Sequence, residues 1–196
     1  VKDNFTVVKG LDENIPLVAI ITRLDRQKGI DYIIERFDEM ISLPIQFILL
    51  GTGEKHYEHY FIAKEHQYKK SVCSYIGFSQ ELSEEIYKGA DIFLMPSVFE
   101  PCGLSQMIAM RYGCIPVVRE TGGLKDTVTP YNEYTGEGDG FGFKQANSYD
   151  MINALKYAVK FYHKPEIWKE IIKNAKKRDN SWKKSAKKYM EIYQKI

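Results

Sequence analysis

The chain has 196 residues, with 28 Lys and Arg against 26 Asp and Glu, a formal net charge of +2, and a composition 44% hydrophobic, 28% charged and 13% aromatic. These proportions exclude a disordered, collagen-like or disulfide-scaffold chain and fit one globular domain with a sizeable core. The longest apolar runs, such as Leu17 to Ile21 and Phe47 to Leu50, are far short of the ~20 residues a membrane-spanning helix needs, so no transmembrane or signal segment is expected.

The chain begins at Val1 rather than at a Met, which points to processing or to a piece of a longer protein. Five short runs rich in β-formers follow: Leu17 to Thr22, Ile45 to Leu50, Val72 to Gly77, Ile92 to Met95 and Ile115 to Val118. Between the first two, Ile30, Ile33, Ile34, Phe37, Met40 and Ile41 recur at helical spacing, predicting one helix that Leu43 and Pro44 end. Further helices are predicted over Glu54 to Lys69, Gln80 to Lys88 and Gly103 to Tyr112. Strands alternating with helices give an α/β fold: a doubly wound, Rossmann-like parallel sheet with right-handed crossovers. Beyond the fifth run, Glu120 to Gly142 reads as a Gly-rich loop, followed by helices near Tyr149 to His163, Pro165 to Lys177 and Ser181 to Lys195. Asp150 or Ser148 is expected to cap the first of these and Ser181 the last, with Pro165 in the first turn between them. Trp168 and Trp182 fall in helical stretches and read as packing residues.

In such sheets ligands bind outside the carboxyl ends of the strands, where helix N-termini converge. Each of the five runs is followed there by a glycine, a charge or an aromatic ring. After the first, Arg23 and Lys28 could hold a diphosphate, the Arg by its fork and the Lys as a point charge, or could be the ordinary charges of a βα turn. After the second, Gly51 and Gly53 either let a ligand approach the backbone or merely make a tight turn. Phe78, after the third, is a ring for a base to stack on or a core residue. The fourth exit, Glu100-Pro101-Cys102-Gly103-Leu104, sets a carboxylate beside a helix start with unpaired N–H groups. Such a pairing suits a sugar phosphate, whose hydroxyls meet the Glu and whose anion meets the helix. Thr121-Gly122-Gly123 repeats the idea of backbone donors around a phosphate or ribose, or is a flexible turn. His56, His59 and His66 share a helical stretch without a carboxylate or Cys to complete a metal set.

With these residues in view, the chain resembles the C-terminal half of bacterial glycogen synthases and plant starch synthases, retaining glycosyltransferases of the GT-B architecture. The strings that carry the likeness are TRLDRQKGID from Thr22, ADIFLMPSVFEPCGLSQMIAMRYGCIPVV from Ala90, TGGLKDTV from Thr121 and SWKKSAKKYMEIY from Ser181. The resemblance implies that Glu100, Arg23 and Lys28 are the catalytic set: the two cations neutralise the diphosphate and Glu100 holds glucose hydroxyls. It implies that Phe78 takes the place of a Tyr that stacks on adenine, and that backbone around Cys102, Gly103, Leu104 and Ser105 meets sugar and phosphate. Related families carry a second Glu where this chain has Met107, which leaves Gln106 and Thr121 as candidates for the ribose. The substrate-binding set therefore comprises Gly51, Gly53, Phe78, Cys102, Gly103, Leu104, Ser105, Gln106, Thr121 and Gly122.

The resemblance further implies glucose transfer from ADP-glucose to the non-reducing end of an α-1,4-glucan, with no cofactor and no required metal. It divides the chain into a donor-binding domain over 1–180 and a C-terminal helix over 181–196 that packs toward an N-terminal GT-B domain. The donor, the glucan and that N-terminal domain are the expected partners; nucleic acid and membrane are not. Three cysteines, Cys73, Cys102 and Cys114, share no pairing or metal spacing and point to reduced thiols in a bacterial cytoplasm, or a plastid if the source is a plant.

Two other readings compete. One is another GT-B transferase or epimerase using a different nucleotide sugar. The second is a non-catalytic module gripping nucleic acid or a protein partner through its basic end, where residues 156–196 carry 13 bases and 4 acids against 15 and 22 in residues 1–155. The same lysines also fit the solvated face of two helices.

Overall fold

The computed structural model describes residue 12 and residues 14–195. Six strands form one sheet: β1 (Leu17–Ile21), β2 (Gln46–Gly51), β3 (Val72–Ile76), β4 (Ile92–Met95), β5 (Ile115–Arg119) and β6 (Phe141–Phe143). Their order is β3-β2-β1-β4-β5-β6 and every pairing is parallel, with Ala19 opposite Ile48 and Phe93, and Val117 opposite Phe141. The predicted doubly wound α/β sheet is therefore present. The chain winds outward from β1 to β3 and then returns to β4 at the far side of β1, so the β1–β4 boundary is the switch point where a crevice opens.

Nine helices cover the sheet among the described residues: α1 (Ile30–Glu35), α2 (Phe37–Ile41), α3 (Lys55–Gln67), α4 (Gln80–Gly89), α5 (Ser105–Tyr112), α6 (Gly122–Thr127), α7 (Ser148–Tyr162), α8 (Pro165–Lys177) and α9 (Trp182–Tyr193). The strands read as near-continuous apolar runs because helices bury both their faces. Val18, Ile20, Phe47 and Leu49 point into one cluster with residues of α1, α2, α3 and α7. Their neighbours Leu17, Ala19, Ile48 and Leu50 point into the other, with Ile86, Tyr87 and Ala109 of α4 and α5. The alternation is the period of two of a strand, doubled because neither side meets water.

Four expectations are corrected. The predicted helix over Ile30 to Ile41 breaks at Arg36 (φ −118, ψ 17) into α1 and α2. The break escapes periodicity because both halves keep an apolar face toward the same cluster. The region read as a Gly-rich loop holds the six-residue α6 and the sixth strand, both too short to show a period. Helix α7 is capped by Asn147, which accepts from the Asp150 N–H, rather than by Asp150 or Ser148. Trp168 packs, as expected, by stacking near Phe141, but Trp182 does not: it is 89% exposed, and α9 has no buried residue. Ser181 does cap α9, accepting from the Lys184 N–H.

Phe37, the first residue of α2, is the hub of one cluster. Its ring meets Phe47 at 5.5 Å, Tyr60 at 5.8 Å and Phe61 at 5.9 Å, all edge to face. Phe37→Ala should therefore cost ~3–5 kcal/mol and, at about 2–4 °C per kcal/mol for a domain of this size, lower the thermal midpoint by roughly 10 °C. Calorimetric unfolding measures it; a loss below ~1 kcal/mol would show that neighbouring rings close over the gap.

Candidate functional site

The exits of β1 and β4 meet at the switch point. Asp25 caps a 3-10 turn, Arg26–Lys28, by accepting the Lys28 N–H, and Gly29 then turns the chain with φ +72. Only glycine fits there: a Cβ at Gly29 would collide with the Pro96 carbonyl oxygen. That close approach brings Lys28 across to the β4 exit, where its Nζ lies 2.6 Å from Glu100 Oε2, the side chains 18% and 11% exposed. Buried Ser97 donates to the same oxygen at 3.3 Å. Around this pair is a cleft of about 270 Å³ lined by Thr22, Lys28, Pro96, Ser97, Glu100, Gly103, Leu104 and Ser105.

Helix α5 opens onto this cleft. It starts at Ser105, two residues later than predicted, because Gly103 is left-handed (φ +71); no side chain caps it. Its first-turn N–H groups lack helical acceptors, so the helix end is suited to an anion. Cys102 and Leu104 are exposed and Ser105 is half-buried beside them.

A second cleft, of about 240 Å³, continues past Ile21 and Thr22 between the exits of β1, β2 and β3, lined by Arg23, Gly51, Thr52, Gly77, Phe78 and Ser79. Phe78 is 87% exposed, so it is no core residue; an aromatic ring held open beside a cleft is suited to stacking. Arg23 is 70% exposed and pairs loosely with Asp25 at 3.4 Å. The two predicted cations thus differ: Lys28 is already neutralised, while Arg23 keeps most of its charge toward solvent.

Gly51 lines this cleft, whereas Gly53 does not and instead forms a parallel bridge with Leu24. The residue that holds the turn was missed in the sequence. Glu58 of α3 accepts from Thr52 Oγ1 at 2.6 Å, from the Gly53 N–H at 3.0 Å and from Lys55 Nζ at 2.7 Å. The hydrogen bond from Lys55 first, and those from Thr52 and Gly53 next, hold its carboxyl down to about 2. In the sequence Glu58 is one carboxylate beside His56 and His59, with nothing local to mark it as the group that holds the Thr52–Gly53 turn. His56, His59 and His66 are exposed, and no metal-ligating cluster exists among the described residues.

Of Thr121, Gly122 and Gly123, the last does not hold out a free backbone donor. The Gly123 N–H donates to the carbonyls of Glu100 at 3.0 Å and Pro101 at 3.2 Å. A Cβ on Gly122 would collide with the Glu100 carbonyl and one on Gly123 with that of Cys102. These glycines let α6 press directly on the Glu100 segment, and Gly123 at least has spent its donor. Gln106, read as a ribose contact, is fully buried. Its amide donates to Cys102 O at 3.3 Å, Gly103 O at 2.8 Å and Thr127 Oγ1 at 2.9 Å, tying the turn before α5 to α6. Only its Oε1 lacks a partner, and the amide nitrogen is not free for a ribose.

A crevice at the switch point of a parallel sheet, holding a carboxylate, cations and an uncapped helix start, defines a Rossmann-like domain built for an anionic ligand that also carries hydroxyls. The chain belongs to the family described as glycosyl transferases group 1, which matches residues 1–178. It is 78% identical over 189 residues to a glycogen synthase of Fusobacterium nucleatum, covering 95% of this chain and 41% of that protein. With a glycogen synthase of Anoxybacillus flavithermus the identity is 52% over 94% of this chain and 38% of the relative. The chain thus spans about two fifths of the length of the relatives it matches. Among solved structures, the catalytic domain of starch synthase IV from Arabidopsis thaliana, bound to ADP and acarbose, superposes with a TM-score of 0.87 at 38% identity, over 96% of this chain and 40% of that one. The fold matches the C-terminal half of the GT-B architecture, and the family resemblance read from the motifs is borne out.

Because Glu58 titrates below its ordinary value of 4.5, its contribution to stability is present above that value and lost as pH falls through about 2. Glu58→Gln should lower the urea midpoint at pH 7, and the gap between parent and variant should close between about pH 4.5 and pH 2. A gap that ignores pH would show that Glu58 acts by shape and not by charge.

Proposed function

We propose that this chain is the donor-binding half of a retaining glucosyltransferase that moves glucose from ADP-glucose to the non-reducing end of an α-1,4-glucan. One observation carries this reading: the Lys28–Glu100 pair sits in the switch-point cleft at the uncapped start of α5. The relative bound to ADP and the glycogen synthase relatives support the choice of donor and acceptor.

In this reading the diphosphate lies over the N–H groups at Ser105, between Arg23 and Lys28, and adenine stacks on Phe78 in the adjoining cleft. Glucose then falls beside Glu100, whose carboxylate accepts from its hydroxyls. As the glycosidic bond breaks, negative charge grows on the departing diphosphate, where fixed cations and backbone donors stabilise the transition state more than the ground state. An arriving diphosphate shares Lys28 with Glu100, so binding the anion loosens the carboxylate's hold on the ammonium and turns it toward the sugar.

The acceptor glucan and a second GT-B domain complete the site from across the cleft. The length of the relatives supports this, as does α9, where Trp182, Tyr189, Met190, Ile192 and Tyr193 are all exposed, an apolar stripe that a partner domain would cover. The free cysteines and the bacterial relatives support a bacterial cytoplasm as its location.

Arg23→Ala should weaken ADP binding by ~1.5 kcal/mol, the low end for a charged hydrogen bond because Arg23 is mostly solvated. Lys28→Ala should cost up to ~3 kcal/mol of ADP binding and also lower stability, since it strands the buried Glu100. Calorimetry returning an unchanged ADP affinity for both variants would refute the assignment. Glu100→Gln, which releases Lys28 from its pair, should leave ADP affinity undiminished or raised while weakening ADP-glucose relative to ADP, as expected of a group that touches only the sugar; equal losses for both ligands would make it a nucleotide contact.

A further inference from the structure

Arg119, the last residue of β5, was not singled out by any motif, yet it grips the loop that leads to Glu100. Its Nε donates to the Ser97 carbonyl at 2.8 Å and its Nη2 to the Val98 carbonyl. Among the described residues no carboxylate forms an ion pair with it. A guanidinium that spends its fork on two successive carbonyls of one loop fixes the direction of that loop's backbone, because its donors are rigidly coplanar. The same loop is held from the opposite side by Gln27: the Val98 N–H donates to Gln27 O at 2.8 Å, and Gln27 Nε2 donates to Phe99 O at 3.2 Å.

The clamped segment leads directly to the functional carboxylate. Ser97, whose carbonyl Arg119 grips, is 2% exposed, and its hydroxyl donates to Glu100 Oε2, the oxygen that Lys28 also meets. A chain of contacts thus runs from Arg119 through Ser97 to Glu100, at 2.8 Å and 3.3 Å, and each link is buried or half-buried. We infer that Arg119 is a positioning residue for the sugar subsite, acting through the carbonyl and hydroxyl of Ser97 to hold Glu100 in the orientation that receives the donor's hexose. The inference rests on the donor-binding reading above and deepens it: Arg119 acts on recognition of the sugar more than of the nucleotide, because Arg23, Phe78 and the exits of β2 and β3 line the other cleft, which does not include Ser97 or Glu100.

The test compares calorimetric affinities of the 196-residue chain for ADP and for ADP-glucose. Arg119→Lys keeps the charge but cannot grip two carbonyls at once, and Ser97→Ala keeps the clamp but removes the hydroxyl. Both should lower affinity for ADP-glucose relative to ADP by about fivefold or more, as loss of one buried hydrogen bond predicts, with ADP itself within about twofold. A merely structural role would lower both affinities together or neither. If Arg119→Lys fails to fold, Arg119→Gln, which keeps a neutral donor but loses the rigid fork, takes its place: a reduced ADP-glucose to ADP ratio in it and in Ser97→Ala supports the inference. An unchanged ratio in every folded variant overturns it while the donor-binding reading stands. A parent chain that binds neither ligand overturns that reading, and the inference with it.

Discussion

The ion pair between Lys28 and Glu100 is the constraint around which the rest of the site is arranged. Two charges withdrawn from water cost several kcal/mol each unless their geometry is close and their remaining valences are met. Here the separation is 2.6 Å and Ser97 supplies a further donor. To bring the partners together, the β1 exit must pass against the β4 exit with no side chain between, which is why a glycine in a left-handed conformation precedes α1 and sits on the Pro96 carbonyl. The pair thereby sews the two strands that flank the switch point, at the place where the fold would otherwise be open. It also keeps the cation and the carboxylate mutually neutral inside the cleft.

Backbone does much of the remaining assembly. The Glu100 segment receives a hydrogen bond from Gly123, gives its loop carbonyls to Arg119, and is tied at its far end by the Gln106 amide. On the neighbouring exit, Glu58 draws Thr52, Gly53 and Lys55 onto one carboxylate. The loops after β2 and β4 are therefore held by side chains from an adjacent strand or helix. Sites preorganised in this way pay less ordering entropy when a ligand binds and keep their dipoles aimed where charge develops.

The two halves of the surface are finished to different degrees. The sheet is sealed on both faces by packed helices, with aromatic clusters around Phe37 and Phe141. The ligand edge and α9 instead leave Phe78, Phe99, Leu104, Trp182 and Tyr193 exposed. Apolar side chains left open on the edge where ligands bind suit a face that works against a second surface. The basic lysines of α9 then follow as its solvated side.

Much of this was legible in the amino-acid sequence. Strands buried on both faces must be apolar throughout, and helices facing one core must repeat every three to four residues, so the βα alternation and the ligand edge could be read directly. The positions of Arg23, Lys28, Phe78 and Glu100 at strand exits followed from that alone. Their relations did not. Lys28 and Glu100 are 72 residues apart, and Arg119 is 22 from the carbonyl of Ser97 that it holds; such meetings depend on β1 lying beside β4 and β4 beside β5. Likewise the glycines of Gly122-Gly123 were read as open donors because a sequence shows that a Cβ is missing, not what would strike it. The break at Arg36 and the short β6 left no period to detect. Local pattern records which face of an element is dry, because burial acts on every residue by itself. Strand order decides which loops share a cleft, and that is a property of the packed sheet.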